Sequence, residues 1–260
     1  MSLLKQLRSK MVKRKIVHEF ILDDVPHRIV DYTSWVPGYK SKREIIFKAK
    51  DDNRIFIHSS IFLSSKQHFQ PIFTTPQKIA YFWNKHFVAN KVLVLGCAGC
   101  TFPRFYALEY PESKIIGVEL SKKLVEIANK YFLLEQIKNQ FELYCDDAFK
   151  FVNDFEFKEK QNIVFVDIFS YNQLPSDVFS KDFLDSLFDC TSKDSMVIFN
   201  FLQEDYNKIL DFAKSIEQPF NKKYVVSANE RCYMLLIKSE HKNKIEEFKN
   251  SLKEIAKVFE

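Results

Sequence analysis

Glycine is scarce in this sequence, with four residues in a chain of 260. Two of the four, Gly96 and Gly99, lie three positions apart directly after the apolar run KVLVL. Because glycine has no Cβ, it lets a backbone turn sharply and come close to another group. The concentration of a scarce residue in one turn predicts that this turn has a functional role.

Other absences limit where the protein works. The sequence has no apolar run near the ~18 residues that cross a bilayer, and its N-terminus lacks the apolar core of a secretion signal. It has five cysteines, an odd number that rules out complete pairing in internal disulfides. These features predict a cytoplasmic protein that does not associate with a membrane.

Positive charge is concentrated in the first fifteen residues, MSLLKQLRSKMVKRK, which hold six basic and no acidic side chains. The net charge of the whole chain is +5, so the remainder is close to neutral. Domains that bind nucleic acid usually carry a basic patch on the folded body. The distribution therefore favours a solvated helical basic arm at residues 1–15 and argues against a nucleic-acid partner.

Residues 16–65 are predicted to form strands, within an N-terminal domain of residues 16–75. The segments IVHEFILDD and HRIVDYTSW alternate apolar and polar side chains, as half-buried strands do. The segment REIIFKAKDDNRIFIHSS fits a hairpin around Asp51-Asp52-Asn53, because these residues tolerate turn geometry. We predict a small antiparallel N-terminal β-domain.

Strands and helices alternate from residue 76 to residue 240. Thr75 and Pro76 are placed to start the first helix of this region. Five apolar strand segments (KVLVLG, KIIGVEL, FELYCDD, NIVFVDIF and MVIFNFL) are each followed by a helix-forming segment. Since unbroken apolar strands are buried on both faces, we predict a doubly wound, mainly parallel Rossmann-like α/β sheet. An antiparallel hairpin within KYVVSANERCYMLLIKS closes the sheet edge, and residues 241–260 are predicted to form an amphipathic helix.

Acidic residues stand at the ends of the second and third of these strands. Glu119 ends the second, and Asp146 and Asp147 end the third. Ligands of doubly wound sheets bind beyond the carboxyl ends of the strands, where an acid on the second strand accepts hydrogen bonds from ribose hydroxyls. A carboxylate on the third strand can accept a hydrogen bond from the adenine amine. Together with the glycine turn, these acids predict a site for an adenosine-type ligand.

The glycine turn excludes two common nucleotide motifs. The dinucleotide motif G-x-G-x-x-G would need glycine at Ala98 and at Thr101. The phosphate-binding motif that ends in Gly-Lys-Ser/Thr is also absent. The turn therefore suits an adenosine ligand without a pyrophosphate.

Three longer segments carry a resemblance to a known family: LVLGCAGCTFPRFYALEYPESKIIGVELSKKLVEIANKYF, CDDAFKFV and NIVFVDIFSYNQLPSDVFSKDFLDSLF. Over about residues 90–203 the chain resembles the spermidine synthase branch of the class I S-adenosylmethionine-dependent transferases. The resemblance implies a Rossmann-like methyltransferase fold with a small N-terminal β-domain, and a homodimer. It also implies transfer of an aminopropyl group from decarboxylated S-adenosylmethionine to a small polyamine-type amine.

The resemblance implies roles for individual residues as well. Asp167, at the mouth of the fourth strand, matches the aspartate that helps to deprotonate the attacking amine. The donor site would comprise Gly96, Cys97, Gly99, Glu119, Leu120, Asp146, Asp147 and Ala148. The acceptor site would include His68, Ser170 and Tyr171. No metal is implied.

The chain departs from this family in three polar elements. The family has an acid where this chain has Ser170, an aspartate at the position of Gly99, and a Tyr-His-Glu element where it has Gln67-His68-Phe69. Two alternatives to aminopropyl transfer therefore stay open. One is an S-adenosylmethionine-dependent methyltransferase on the same fold, and the other is a nucleoside-binding protein without turnover.

Cys97 and Cys100 raise a third alternative, because they form a C-x-x-C pair at a strand–helix junction. Such a pair can be a redox couple with a lowered thiol pKa or half of a zinc site. Zinc would need two further ligands, and the other cysteines and the histidines have no suitable spacing. We expect instead that both cysteines are small residues in a ligand loop.

Overall fold

The structure is a computed structural model that describes residues 12–35, 40–48, 54–63, 74–154, 160–169, 174–202, 206–217, 220–228 and 231–260. The three predicted acceptor residues, His68, Ser170 and Tyr171, lie outside these ranges, as does most of the basic arm. Their roles stay predictions.

Four antiparallel strands form an N-terminal sheet in the order β1-β2-β3-β4. They are β1 (Lys13–Leu22), β2 (Val25–Thr33), β3 (Lys42–Lys48) and β4 (Ile55–Phe62). The predicted antiparallel β-domain is thereby confirmed. The first strand begins before residue 16, because Lys13, Arg14 and Lys15 pair with residues 31–33 of β2. These three residues are strand, so the predicted helical arm does not extend through them.

Strands and helices then alternate along the chain as predicted. The parallel strands are β5 (Lys91–Leu95), β6 (Lys114–Glu119), β7 (Phe141–Cys145), β8 (Gln161–Val166) and β9 (Thr191–Leu202). The helices are α1 (Thr75–His86), α2 (Thr101–Glu109), α3 (Lys122–Tyr131), α4 (Ala148–Asn153), α5 (Lys181–Asp189) and α6 (Tyr206–Ser215).

Helix α1 begins one residue earlier than the sequence suggests. Thr74 is its N-cap residue, and the Thr74 backbone N–H donates to Gln77 Oε1 at 3.3 Å. Thr75 is therefore already helical, and Pro76 follows it within the first turn, where a missing N–H has no intrahelical partner to lose.

The C-terminal region completes the sheet. It consists of β10 (Lys222–Ala228), β11 (Arg231–Lys238), α7 (Lys242–Lys253) and β12 (Lys257–Phe259). Strands β10 and β11 form the predicted antiparallel hairpin, and β12 pairs with β10 outside it. The predicted C-terminal helix is therefore too long, because the chain beyond residue 253 turns back to extend the sheet.

The strand order β12-β10-β11-β9-β8-β5-β6-β7 explains where a ligand can bind. The chain builds outward from β5 through β6 to β7, then returns to the other side of β5 to build β8 and β9. The loops that follow β5 and β8 therefore diverge to opposite faces of the sheet. A crevice forms at such a reversal of strand order, beyond the carboxyl ends of the strands.

The central sheet is covered on both faces. Along β5, Val92 and Val94 belong to one buried cluster, while Leu93 and Leu95 belong to another. Since alternate side chains of a strand point to opposite faces, the two clusters are the two layers of core. This explains why the strand is apolar without interruption.

The N-terminal sheet packs against helix α3. Ile29 and Ile45 of the sheet are buried in one cluster with Leu124 and Ile127 of the helix. Arg43 of β3 adds a polar link, because its guanidinium binds the Asp31 carboxylate through two nitrogens, at 2.6 and 2.8 Å, and donates to the Tyr131 carbonyl at 2.8 Å. The small sheet is thus attached to the main sheet's domain through α3.

Candidate active site

Gly96 is placed where β5 and β8 end side by side. Its φ is +85°, and a Cβ at this position would lie 2.3 Å from the Asp167 carbonyl oxygen. The Asp167 backbone N–H donates to the Leu95 carbonyl at 2.8 Å, which continues the pairing of the two strands. Glycine is therefore required for this approach, and the approach places Asp167 directly beside the loop.

Gly99 is required by a different contact. A Cβ here would lie 2.7 Å from Ser59 Cβ and 2.8 Å from Phe132 Cε1. The Gly99 N–H donates to Ser59 Oγ at 2.8 Å. The space beside Gly99 is thus filled by β4 of the N-terminal sheet and by the residue that follows α3. Sequence analysis missed Ser59, since nothing in the sequence connects β4 with the loop.

The loop between β5 and α2 holds two non-glycine residues in the left-handed region, Ala98 at φ +43° and Cys100 at φ +56°. Such conformations disfavour the folded state by about 1–3 kcal/mol each. The Cys97 and Ala98 N–H groups both donate to Glu119 Oε2, at 3.1 and 2.8 Å. This carboxylate at the end of β6 therefore holds the loop in shape.

Glu119 is buried, and its other oxygen, Oε1, accepts a hydrogen bond from the Ser121 N–H at 2.9 Å. A carboxylate has about four lone-pair sites, so acceptor capacity remains on Oε1. Glu119 can thus shape the loop and still accept a hydrogen bond from a ligand hydroxyl.

The ends of β6 and β7 bring the other predicted donor residues together. Asp147 is the N-cap of α4, where its Oδ1 accepts hydrogen bonds from Phe149 N–H at 2.8 Å and Lys150 N–H at 3.0 Å. The Asp146 backbone N–H donates to the Glu119 carbonyl at 3.2 Å, which links the two strand ends. At the same edge, Leu120 exposes 70% of its surface, an unusual position for a large apolar side chain.

Asp167 lies at the end of β8, one residue beyond the Val166–Phe199 pair of β8 and β9. The Asn200 side-chain Nδ2 donates to Asp167 Oδ1 at 2.7 Å. Burial raises the pKa of Asp167 to about 6, although the Asn200 hydrogen bond and the positive charge of Arg231 act in the opposite direction. The carboxyl is thus ionised near neutral pH yet basic enough to accept a proton.

Asn200, Arg231 and Tyr233 are further candidate site residues, which interact with Asp167 and which sequence analysis missed. Asn200 had a signal, because it is a polar residue within the apolar run MVIFNFL, just as Asp167 is within VFVDIF. Arg231 and Tyr233 had none, since they lie on the antiparallel strand β11 and reach Asp167 only through the pairing of β11 with β9.

The structure does not support a redox role for Cys97. Cys97 and Cys100 are both buried and unpaired. Burial and the neighbouring Cys100 raise the pKa of the Cys97 thiol well above its ordinary value, which is opposite to the lowered pKa of redox thiols. Within the described residues, no group of three or more His, Cys, Asp or Glu side chains could hold a metal ion.

Together, the strand order, the antiparallel β11 and the acids at successive strand ends define a Rossmann-like methyltransferase fold. The predicted fold class is confirmed. No helix in the described part of the chain is long and apolar enough to span a membrane.

Comparison with known families identifies the branch of this fold. The spermine/spermidine synthase domain matches residues 79–237. The chain therefore belongs to the spermine/spermidine synthase domain family and is a transferase. No curated protein sequence matches the chain.

Solved structures agree with the family. A probable spermidine synthase from Corynebacterium glutamicum superposes with a TM-score of 0.68 at 14% identity, covering 94% of this chain and 90% of its own. A spermidine synthase in complex with the transition-state analogue AdoDATO gives 0.55 at 17% identity, covering 90% and 75%. Human methyltransferase-like protein 13 in complex with SAH gives 0.55 at 16% identity, covering 68% and 85%. At these identities the likeness concerns the fold.

Proposed function

We propose that the protein transfers an aminopropyl group from decarboxylated S-adenosylmethionine to an amine. The observation that carries the proposal is the position of Asp167, which lies against Gly96 of the loop between β5 and α2 (residues 96–100, the donor loop) and is hydrogen-bonded to Asn200. Membership of the spermine/spermidine synthase domain family supports it. So do the solved relatives, one of which binds a transition-state analogue.

The donor site proposed here extends over the ends of β5, β6 and β7. Glu119 would hold the ribose through the acceptor capacity that the loop leaves on Oε1. Asp147 would accept from the adenine amine through Oδ2, because its Oδ1 caps α4. Leu120 and Ala148 would provide apolar contacts to the base, and the loop from Gly96 to Gly99 would border the methionine-derived tail.

In the reaction, the lone pair of a neutral amine attacks the aminopropyl carbon that is bonded to the donor sulfonium. A C–N bond forms, the C–S bond breaks, and its electron pair moves to sulfur, which leaves as the neutral thioether of methylthioadenosine. The new ammonium gives its proton to the Asp167 carboxylate. Its pKa of about 6 suits this task, since a general base works best when its pKa is near the operating pH.

Methyl transfer from S-adenosylmethionine is the second candidate, and the environment of Gly99 favours it. The family's aspartate at this position would offset a cationic donor tail, but contacts to Ser59 and Phe132 fill the space where its side chain would begin. The decarboxylated donor therefore lacks one stabilising carboxylate here. Nucleoside binding without turnover is the remaining alternative.

Calorimetric titration distinguishes these functions. We expect decarboxylated S-adenosylmethionine and methylthioadenosine to bind more tightly than S-adenosylmethionine, and Glu119→Gln to weaken all three. Glu142→Gln on the exposed side of β7 is the matched control and should bind as wild type. Preference for S-adenosylmethionine would support methyl transfer, whereas tight binding with no amine consumed would support a binding protein. Binding of none would contradict the proposed site.

We further propose that the protein is a cytoplasmic homodimer that associates through its N-terminal sheet. Large apolar side chains are exposed there, including Ile21 at 68% and Ile55 at 59%. None of the five cysteines forms a disulfide, which fits a reducing compartment. Light scattering should give twice the monomer mass, and Ile21→Lys with Ile55→Lys should shift it to the monomer. A monomeric wild type would contradict the dimer.

A further inference from the structure

A positively charged side chain lies on the far side of Asp167 from the donor loop. Arg231 begins β11, and β11 runs antiparallel to β9. The start of β11 therefore lies at the same sheet edge as the carboxyl ends of β8 and β9. The positive charge of Arg231 acts on the Asp167 carboxyl, where it opposes the rise in pKa that burial causes.

Tyr233 holds this arrangement in place. It is 2% exposed, and its backbone pairs with Asn200 across β11 and β9. The Tyr233 hydroxyl is hydrogen-bonded to the side chains of Arg231 and Thr75. Burial raises its pKa to about 12, although these two hydrogen bonds act in the opposite direction. Residues two apart on a strand face the same side, so Arg231 and Tyr233 share one face with Asn200. The exposed Arg231 guanidinium is thus anchored to a buried hydroxyl.

The strand order fixes the side of the site to which Arg231 belongs. Strands β5, β8, β9 and β11 are consecutive neighbours in the sheet. Because neighbouring strands lie about 4.8 Å apart, β11 is roughly 14 Å from β5. The donor loop follows β5, and Asp167 lies between it and Arg231. Arg231 is therefore placed to contact the acceptor rather than the tail of the donor.

The groups near Asp167 form a charge pattern that suits one kind of acceptor. The charged side chains that act on Asp167 among the described residues are Glu119 on the donor side and Arg231 on the acceptor side. Arg231 would repel the second ammonium of a diamine, whereas a guanidinium can bind a carboxylate through two parallel hydrogen bonds.

Asn200 offers a place for the reacting amine. Its Oδ1 is buried and has no hydrogen-bond partner among the described residues, while its Nδ2 is occupied by Asp167. Buried polar atoms normally have a partner, and an amine N–H beside Asp167 would supply one.

We propose that the acceptor is an amino-acid-type molecule, with an amine held by Asp167 and Asn200 and a carboxylate held by Arg231. This inference rests on the proposed transfer to an amine and narrows the acceptor to one chemical class. The bond changes are those given above, and the acceptor carboxylate takes no part in them.

A matched pair of acceptors tests this inference. γ-Aminobutyrate and putrescine both have four carbons with an amine at one end. The fourth carbon is the carboxylate carbon in γ-aminobutyrate and carries the second amine in putrescine. Each is titrated calorimetrically into the protein saturated with methylthioadenosine, together with ω-amino acids one carbon shorter and longer. The same titrations are made on Arg231→Gln, Arg231→Lys and the surface control Arg28→Gln.

We expect an ω-amino acid of this series to bind wild type at least about tenfold more tightly than putrescine, the usual effect of a hydrogen bond to a charged group. Arg231→Gln should lose that preference, Arg231→Lys should keep part of it, and Arg28→Gln should keep all of it. Tighter binding of putrescine, an unchanged preference in Arg231→Gln, or binding of no ω-amino acid would overturn the inference. Failure of methylthioadenosine to bind would instead overturn the donor site and the proposed function.

Discussion

The proposed donor and acceptor sides of the site are built in different ways. On the donor side, Glu119 and Asp147 use part of their carboxylates to accept backbone N–H groups, so each acid shapes a loop or caps a helix. On the acceptor side, Asp167, Asn200 and Arg231 interact through side chains that come from three different strands. The proposed donor side therefore depends on backbone conformation that the acids maintain, whereas the proposed acceptor side depends on side chains that strand pairing brings together.

This difference bears on where the chain departs from the family pattern, since Ser170 and Gln67-His68-Phe69 belong to the predicted acceptor side and only Gly99 to the predicted donor side. A substitution of Glu119 would disturb the loop conformation as well as the proposed ligand contact, so this residue would be under two structural demands. An acceptor-side residue such as Arg231 is exposed and can change without disturbing the fold. A change of acceptor is therefore easier to accommodate in this architecture than a change of donor.

Asp167→Asn is the variant that should separate chemistry from donor binding most clearly. The amide cannot accept the proton, so we expect turnover to fall by about 100-fold or more, while methylthioadenosine binds as it does to wild type. Rates are measured as release of the thioether product, with Asp211→Asn, an exposed residue of α6, as control. Equal losses of turnover and of donor binding would mean that Asp167 is a structural residue.

Gly99→Ala tests whether the donor loop depends on the N-terminal sheet. The added methyl meets Ser59 and Phe132 at distances below 3.0 Å, and such overpacking typically destabilises a protein by about 1–3 kcal/mol. We expect the unfolding free energy of Gly99→Ala, measured by denaturant titration, to fall by that amount, and donor binding to weaken. Adding Ser59→Gly should recover part of the lost stability. An unperturbed Gly99→Ala would show that the two regions are independent.

The thiols test whether the donor loop is closed to solvent. Cys97 is buried with a raised pKa, whereas Cys145 is exposed at the end of β7. We expect a thiol reagent to label Cys145 at least about tenfold faster than Cys97, because the thiolate is the reactive form. Mass spectrometry of timed digests measures both sites in one sample. Faster labelling of Cys97 would revive the redox interpretation of the C-x-x-C pair.

The pH dependence tests the coupling of Arg231 to Asp167. Since the pKa of Asp167 is about 6 and its carboxylate form is the base, activity should rise as pH increases through that value. Arg231→Gln removes a positive charge that favours the carboxylate, so this limb should move upward by roughly half a pH unit. The pH profile of kcat/KM measures the shift, and an unmoved limb would mean that the two groups do not interact.

Asp167 also makes the stability of the fold depend on pH, in the direction opposite to that expected for activity. The folded-state pKa of Asp167 is raised from its ordinary 3.8 to about 6, so the folded state holds this proton more tightly than the unfolded state. Its contribution to stability is present below pH 4 and is lost as pH rises through 6. Thermal unfolding of wild type and Asp167→Asn across this range should converge at low pH and separate above it.

The sequence predicted those features that depend on residues close together along the chain. The unbroken apolar strand around Val94 and the acid at Glu119 both follow from local pattern and the rules of doubly wound sheets. The contact of Ser59 with Gly99 could not be predicted, because it joins segments 40 residues apart. Arg231 was missed for the same reason, since only the register of β11 against β9 brings it to Asp167.

The most direct test of the account is the identity of the product released from the donor. Protein is incubated with decarboxylated S-adenosylmethionine, or with S-adenosylmethionine, and a panel of amines and ω-amino acids, and the products are followed by mass spectrometry. We predict release of methylthioadenosine with one aminopropylated acceptor formed for each donor consumed, and its loss in Asp167→Asn. Release of S-adenosylhomocysteine with a methylated acceptor, or consumption of neither donor, would contradict it.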